Sequence, residues 1–124
     1  MISNRHRFHG YGSLKFLYHK GETYRSRSVS LRIVENPRRP EGRCAVIVTK
    51  KVQKAAPRRN RIRRRVYEIV RTNWDHITPG YDMMVNVYDP QAGVMPYAEL
   101  EQTIIGVLKQ AHVWRDSPDG DANQ

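Results

Sequence analysis

The sequence has one cysteine, Cys44, so no disulfide can form within the chain. It has no apolar run near the roughly 20 residues that a membrane-spanning helix needs. Met1 to Gly10 carries Arg and His without the apolar stretch of a signal peptide. These absences point to the cytoplasm and to no membrane partner. Hydrophobic residues are also scarce, 39% of 124, which is enough for one domain with a thin layer of helices on a sheet. Acidic side chains are nearly missing from the first part: residues 1–71 hold 4 against 20 basic ones, a net +16. Residues 72–124 hold 8 acidic and 2 basic side chains, a net −6, which leaves the chain at +10. So one-sided an excess attracts polyanions and gains free energy by releasing their counterions. Nucleic acid is the favoured partner, with an acidic protein or a membrane surface as the alternatives that charge leaves open.

Groupings that would support protein-based catalysis are missing too. A protein nuclease needs carboxylates or histidines gathered around a metal or a water. Here Asp75 with His76, and Asp82 with Asp89, have no spacing that argues a site, and His6 and His9 have no cysteine or carboxylate beside them. Gly10-Tyr11-Gly12 lacks the Lys-Ser/Thr ending of a phosphate loop. Cys44 falls in an apolar run, where a thiol is usually inert. The expectation is a chain with no catalytic side chain, no metal site and no small-molecule cofactor of its own.

Periodicity supplies the elements. Residues 1–12 read as an extended basic arm (Arg5, His6, Arg7, Phe8). Ser13 is placed to cap a helix from Leu14 to Lys20, ended by Gly21, with Leu14, Leu17 and Tyr18 on one face. A strand is expected around Thr23 to Arg27. Residues 28–34 alternate, with Val29, Leu31 and Ile33 on one side and Ser30 and Arg32 on the other. Asn36 to Gly42 holds two prolines and a glycine and reads as a turn. Cys44 to Val48 fits a central strand. Residues 58–74 form the clearest helix, with Ile62, Val66, Ile69 and Val70 in one apolar stripe. Tyr81 to Tyr88 is a strand, Asp89 to Pro96 a loop, and Tyr97 to about Ala111 an amphipathic helix. His112 reads as a surface or packing residue. The order predicts an α+β fold, a small sheet with helices on one side. Residues 1–113 form one domain and 114–124 a polar tail expected to be disordered, with Trp114 in that tail.

The segment Arg58-Arg59-Asn60-Arg61-Ile62-Arg63-Arg64-Arg65 carries the functional reading. On a helix, Asn60, Arg61, Arg64, Arg65 and Arg71 fall opposite the apolar stripe, and Arg59 lies in the first turn near the positive dipole end. Like charges so close cost the helix stability unless something neutralises them. Phosphates would do so. An ordinary solvated face would interleave Glu with Arg, yet between 58 and 71 only Glu68 is acidic. DNA and folded RNA both remain open, since charge alone does not choose between them.

Thr49-Lys50-Lys51-Val52, followed by Arg59-Asn60-Arg61-Ile62-Arg63-Arg64, resembles the signature of the bacterial ribonuclease P protein family. Arg7, Phe8, Leu14, Leu17, Tyr18 and Gly21 are similar to that family's basic arm and first helix. Tyr81-Asp82, the strand they open and the final helix are similar to its second half. The likeness spans roughly residues 5–112. Gln53 replaces the usual glycine after Lys-Lys-Val, the connection to the helix is one residue longer, and Arg32 stands where the family often has an aromatic. The resemblance implies a two-layer α/β sandwich, a small mixed sheet packed with helices, of the ribosomal-protein-domain type. It also implies a left-handed β-α-β crossover carrying the Arg-Asn-Arg helix. The implied partners are the ribonuclease P RNA and precursor tRNA. The implied activity is endonucleolytic removal of the tRNA 5′ leader, with Mg2+ bound mainly by the RNA. Arg59, Asn60, Arg61, Arg63, Arg64 and Arg65 would face the catalytic RNA. Leu14, Tyr18, Arg32, Lys50 and Lys51 would line the leader cleft. The alternative is a general RNA-binding or ribosomal-type protein, or a helix-based DNA binder, with no processing role.

Overall fold

A computed structural model describes residues 11–36 and 41–116, with the side chains of 11–14 outside the description. The expected basic arm, most of the Pro-rich turn and the end of the polar tail therefore lie outside the described residues. The elements are α1 (Tyr11–Lys20), β1 (Glu22–Arg25), β2 (Val29–Glu35), β3 (Arg43–Ile47), α2 (Ala56–Thr72), β4 (Tyr81–Val87) and α3 (Tyr97–Gln110). Short 3₁₀ turns run from Trp74 to His76 and from Pro90 to Gly93. The four strands form one mixed sheet in the order β1-β2-β4-β3, antiparallel except for the β3–β4 pair. Because β3 and β4 are parallel neighbours, the chain between them must cross over, and α2 is that crossover.

The alternation read from the sequence sets which side chains meet. Leu31, Val85 and Val46 share one row, and Ile33, Met83 and Cys44 the next. These rows face α2 and α3 and form the main core with Ile62, Val66, Ile69, Leu100, Ile104 and Val107. The opposite rows are Ser30–Asn86–Ile47 and Arg32–Met84–Ala45. There α1 lies, and this corrects the expectation of helices on one side only. Leu17 is fully buried yet stands apart from the main core cluster. The Arg32 Nε donates to the Leu17 carbonyl at 3.1 Å. A Cβ on Gly21 would come within 3.1 Å of the Arg32 side chain and 2.5 Å of the Leu17 carbonyl oxygen. Glycine is therefore needed there for close approach. Ser13 lies inside α1, three residues into a helix that starts at Tyr11, so it is not the cap that the sequence suggested.

Two features close the sheet ends. Arg43 and Asp82 form a buried, two-pronged ion pair, with Nε–Oδ1 at 3.0 Å and Nη2–Oδ2 at 2.7 Å. Asn36 Nδ2 donates to the same carboxylate at 2.9 Å. Buried charges cost several kcal/mol each to desolvate, so this pair is held by its geometry. At the other end, α3 finishes in a Schellman motif. The His112 N–H donates to the Lys109 carbonyl and the Val113 N–H to the Leu108 carbonyl, with His112 at φ 62°. That places buried Val113 over Leu108 and turns the chain back across the molecule. Trp114 then bridges to Ile77 and stacks on His76 at 4.8 Å, so it is not part of a free tail as expected.

Three outcomes follow from this packing. Asp82→Asn should lose about 3–5 kcal/mol of stability by urea unfolding, because Arg43 keeps a buried charge without its partner. The double change Arg43→Met with Asp82→Leu should recover much of that loss, and equal losses in both variants would contradict the assignment. His112→Gly should gain about 1 kcal/mol, since a left-handed residue with a Cβ is strained; a loss would mean that the His112 side chain does more than occupy the turn. Burial pushes the Cys44 thiol up to about 12. Free thiols alkylate faster on passing about pH 8.5, but native Cys44 should stay slow there and react only after denaturant is added. Fast labelling of the native protein would show that the strand is open.

Candidate RNA interface

α2 begins with Pro57 in its first turn, where a fixed φ and a missing N–H cost nothing. Its interior has no glycine, and Arg and Glu are good helix formers. Ile62, Val66, Ile69 and Val70 are all buried, as the stripe required. Each such side chain contributes about 1.5–3 kcal/mol, whereas each close like-charge pair costs about 0.2–0.5 kcal/mol. The buried face therefore wins, and the helix stands without RNA. It ends at Thr72, two residues short of the expected 74, because Asn73 turns back. Asn73 Nδ2 donates to the Ile69 carbonyl at 2.8 Å and to Glu101 on α3 at 3.0 Å.

The arginines opposite the stripe were expected to lie together, free for phosphate. The structure divides them. Arg64 is exposed, as is Arg58, which the sequence reading left out of the site. Neither side chain makes a hydrogen bond or ion pair among the described residues. Arg59 lies nearer the surface of its own connection, donating to the Gln53 and Lys54 carbonyls at 3.0 and 2.8 Å. Arg63 is bonded to the Asn60 side chain one turn earlier, and Arg71 to Glu68. That last pair holds the exposed Glu68 carboxyl below its usual range. Arg61 and Arg65 reach across to the turn after β4: Arg61 Nε meets the Gly93 carbonyl at 2.8 Å, and Arg65 meets those of Ala92 and Met95, each at 2.5 Å.

The connection from β3 to α2 adds cations. Lys50, Lys51 and Lys54 are exposed. The backbone turns at Thr49, whose carbonyl accepts from the N–H groups of Val52 and Gln53. Gln53, the departure from the family glycine, is put to use: its side-chain oxygen accepts from the Ala55 N–H at 3.3 Å. Lys50 and Lys51 thus follow β3 at the edge where α2 starts.

The expected leader cleft is laid out differently from the sequence reading. Leu14's side chain lies outside the described residues. Tyr18 is 54% exposed, so it is no core aromatic, and it does not share the buried side of Leu17. Arg32 is occupied by α1: besides Leu17 it meets the Tyr18 carbonyl and Thr23 Oγ1, and its guanidinium sits 5.7 Å from the centre of the Tyr18 ring. It thereby satisfies carbonyls at the C-terminal end of α1, the end that attracts a cation. On the same sheet face lie Ser30, Asn86 and half-buried Ile47, with Tyr88 at 45% exposure and its hydroxyl 2.8 Å from that of Ser30. Phe16 is 41% exposed beside Leu17. Tyr88, Asn86 and Ile47 were not named in the sequence reading, although period-two alternation already set them opposite the core.

Among the described residues no group of three His, Cys, Asp or Glu side chains could hold a metal ion, and the buried Asp82 carboxylate is taken by Arg43 and Asn36. No described helix is long and apolar enough to cross a membrane.

The family model described as Ribonuclease P matches residues 2–112. The ribonuclease P protein component of Chloroflexus aggregans is 37% identical over 92 residues, 73% of this chain and 66% of its own length. The chain thus spans about two thirds of that relative. The corresponding protein of Roseiflexus castenholzii is 34% identical over 105 residues, 82% of this chain and 84% of its own length. In fold, the chain is similar to the Staphylococcus aureus RNase P protein, with a TM-score of 0.77 over 89% of this chain and 98% of that one. Their 24% identity carries the likeness of fold alone. None of these matches supports the alternative of a general RNA or DNA binder.

Proposed function

The chain belongs to the ribonuclease P protein family, and on that premise we propose that it binds the ribonuclease P RNA through α2 and the precursor tRNA leader through the α1 side of the sheet. The family is the protein component of an endoribonuclease ribonucleoprotein that removes the 5′ leader of precursor tRNA. Catalysis belongs to the RNA, with Mg2+ held there, and the protein contributes affinity and positioning. The setting is the cytoplasm.

The observation that carries this reading is the exposed cationic run from Lys50, Lys51 and Lys54 on the connection to Arg58 and Arg64 on α2, a helix whose stability does not depend on them. Folded RNA offers closely spaced phosphates at its surface, and the arginines of a folded helix meet them without the entropy cost of ordering their backbone. On the other side of the sheet, Tyr18, Phe16 and Tyr88 offer exposed rings. Single-stranded bases stack on such rings whatever their sequence, at about 1–3 kcal/mol per base. That suits a leader of variable sequence. Tyr18 keeps its place in this cleft, whereas Arg32 acts there by fixing α1 and backing the Tyr18 ring. Lys50 and Lys51, exposed between β3 and α2, are assigned to phosphate.

The test is reconstitution. The protein alone should not cut precursor tRNA. Added to its cognate ribonuclease P RNA at low Mg2+, it should restore cleavage at the mature 5′ end, and high Mg2+ should make it less necessary. Cleavage that is the same with and without protein at low Mg2+ would overturn the proposal. Tyr18→Ala should weaken binding of precursor carrying a leader by about 1–3 kcal/mol and leave mature tRNA binding unchanged; an equal effect on both would remove Tyr18 from the cleft.

A further inference from the structure

The seven arginines of α2 have different partners, and the difference separates two roles. Arg65 gives both Nη groups to the backbone carbonyls of Ala92 and Met95, and the exposed Arg61 gives its Nε to that of Gly93. These carbonyls belong to one short turn, some thirty residues away in sequence. The turn lies directly on α2: Ala92 and Gly93 are buried, and a Cβ on Gly93 would sit 3.3 Å from Ile62 Cγ1. At Arg65 the planar guanidinium fork serves two carbonyls at once, and at Arg61 the Nε–H is fixed in the plane of the group; an ammonium offers the same charge without that geometry. Held so, the turn lines a groove through Pro90, Gln91 and Val94, together with Gln53, Arg58 and Arg61. Val94 is 69% exposed there.

We propose that Arg61 and Arg65 are positioning residues that fix the 90–95 turn beside α2, and that Arg58 and Arg64 meet RNA phosphate. The assignment rests on the reading of α2 as the RNA-facing helix. It moves two residues of the Arg-rich segment out of direct contact and brings in Arg58. Charge-assisted bonds to three carbonyls keep Arg61 and Arg65 directed at the protein when RNA arrives. Arg58 and Arg64 have no such competing partner among the described residues, so forming a phosphate contact breaks nothing in the protein.

The salt dependence of binding distinguishes the two roles, because each phosphate contact contributes about one unit to the slope of log K against log salt. The probe is the cognate ribonuclease P RNA, with binding measured across a salt series at fixed Mg2+. Arg58→Ala and Arg64→Ala should each reduce the slope by about one unit, and the lysine variants at these positions should restore it. Arg61→Ala and Arg65→Ala should leave the slope unchanged while weakening binding, and Arg61→Lys and Arg65→Lys should weaken it equally, since charge is not what is lost. Should an alanine variant fail to fold, the lysine variant at that position decides by itself. A slope reduced by one unit in Arg61→Ala or Arg65→Ala, or affinity restored by lysine there, would overturn the assignment. Wild-type protein that fails to bind the RNA at all would instead overturn the proposed function.

Discussion

The structure depends on the burial of one stripe of α2. Seven arginines on a 17-residue helix, with one glutamate among them, would not hold a helix in water by themselves. Ile62, Val66, Ile69 and Val70 seat the helix on the sheet and leave its charged side fixed in space. Everything functional is arranged around that anchor. β3 leads into the helix through Lys50 and Lys51, β4 leads out of it, and the turn after β4 returns to lie against it. The resulting cationic surface is rigid before any partner binds, which is what recognition of a folded RNA by shape requires.

Much of this was legible in the sequence because it depends on local pattern. The alternation of Val29, Leu31 and Ile33 gave β2, and the apolar run after Arg43 gave β3. The spacing of Ile62, Val66, Ile69 and Val70 gave α2, and that of Leu100, Ile104 and Val107 gave α3. The Arg-Asn-Arg block pointed to the family. What the pattern could not carry was partner choice across long separations. Arg43 and Asp82 are 39 residues apart, and neither advertises the other. Arg65 finds its carbonyls 27 and 30 residues on, and backbone carbonyls leave no mark in a sequence. The same holds for Arg32, which looks like an outward-facing strand residue and instead secures the end of α1.

The side of the sheet on which α1 lies was hidden for a related reason. Among residues 15–20 of α1 Leu17 alone is fully buried, while Tyr18, read on the same face, is exposed. The position of α1 is fixed by Gly21, which lets the chain pass close to Arg32, and by the bonds from Arg32 itself. Polar anchoring of this kind leaves Phe16 and Tyr18 exposed. A helix held by a larger apolar face would have buried at least one of them. The residue that departs from the family's aromatic pattern, Arg32, thus has a structural use that keeps neighbouring rings available.

The central claim is that the arginine face of α2, and not the side of α3 that carries exposed Glu99, is what meets the ribonuclease P RNA. Site-directed photocrosslinking tests it most directly, with the probe attached in turn at position 64 on α2 and at position 99 on α3. Crosslinks to the RNA from position 64, with none from position 99, are the result that the account predicts. RNA captured from position 99 while position 64 stays silent would contradict it.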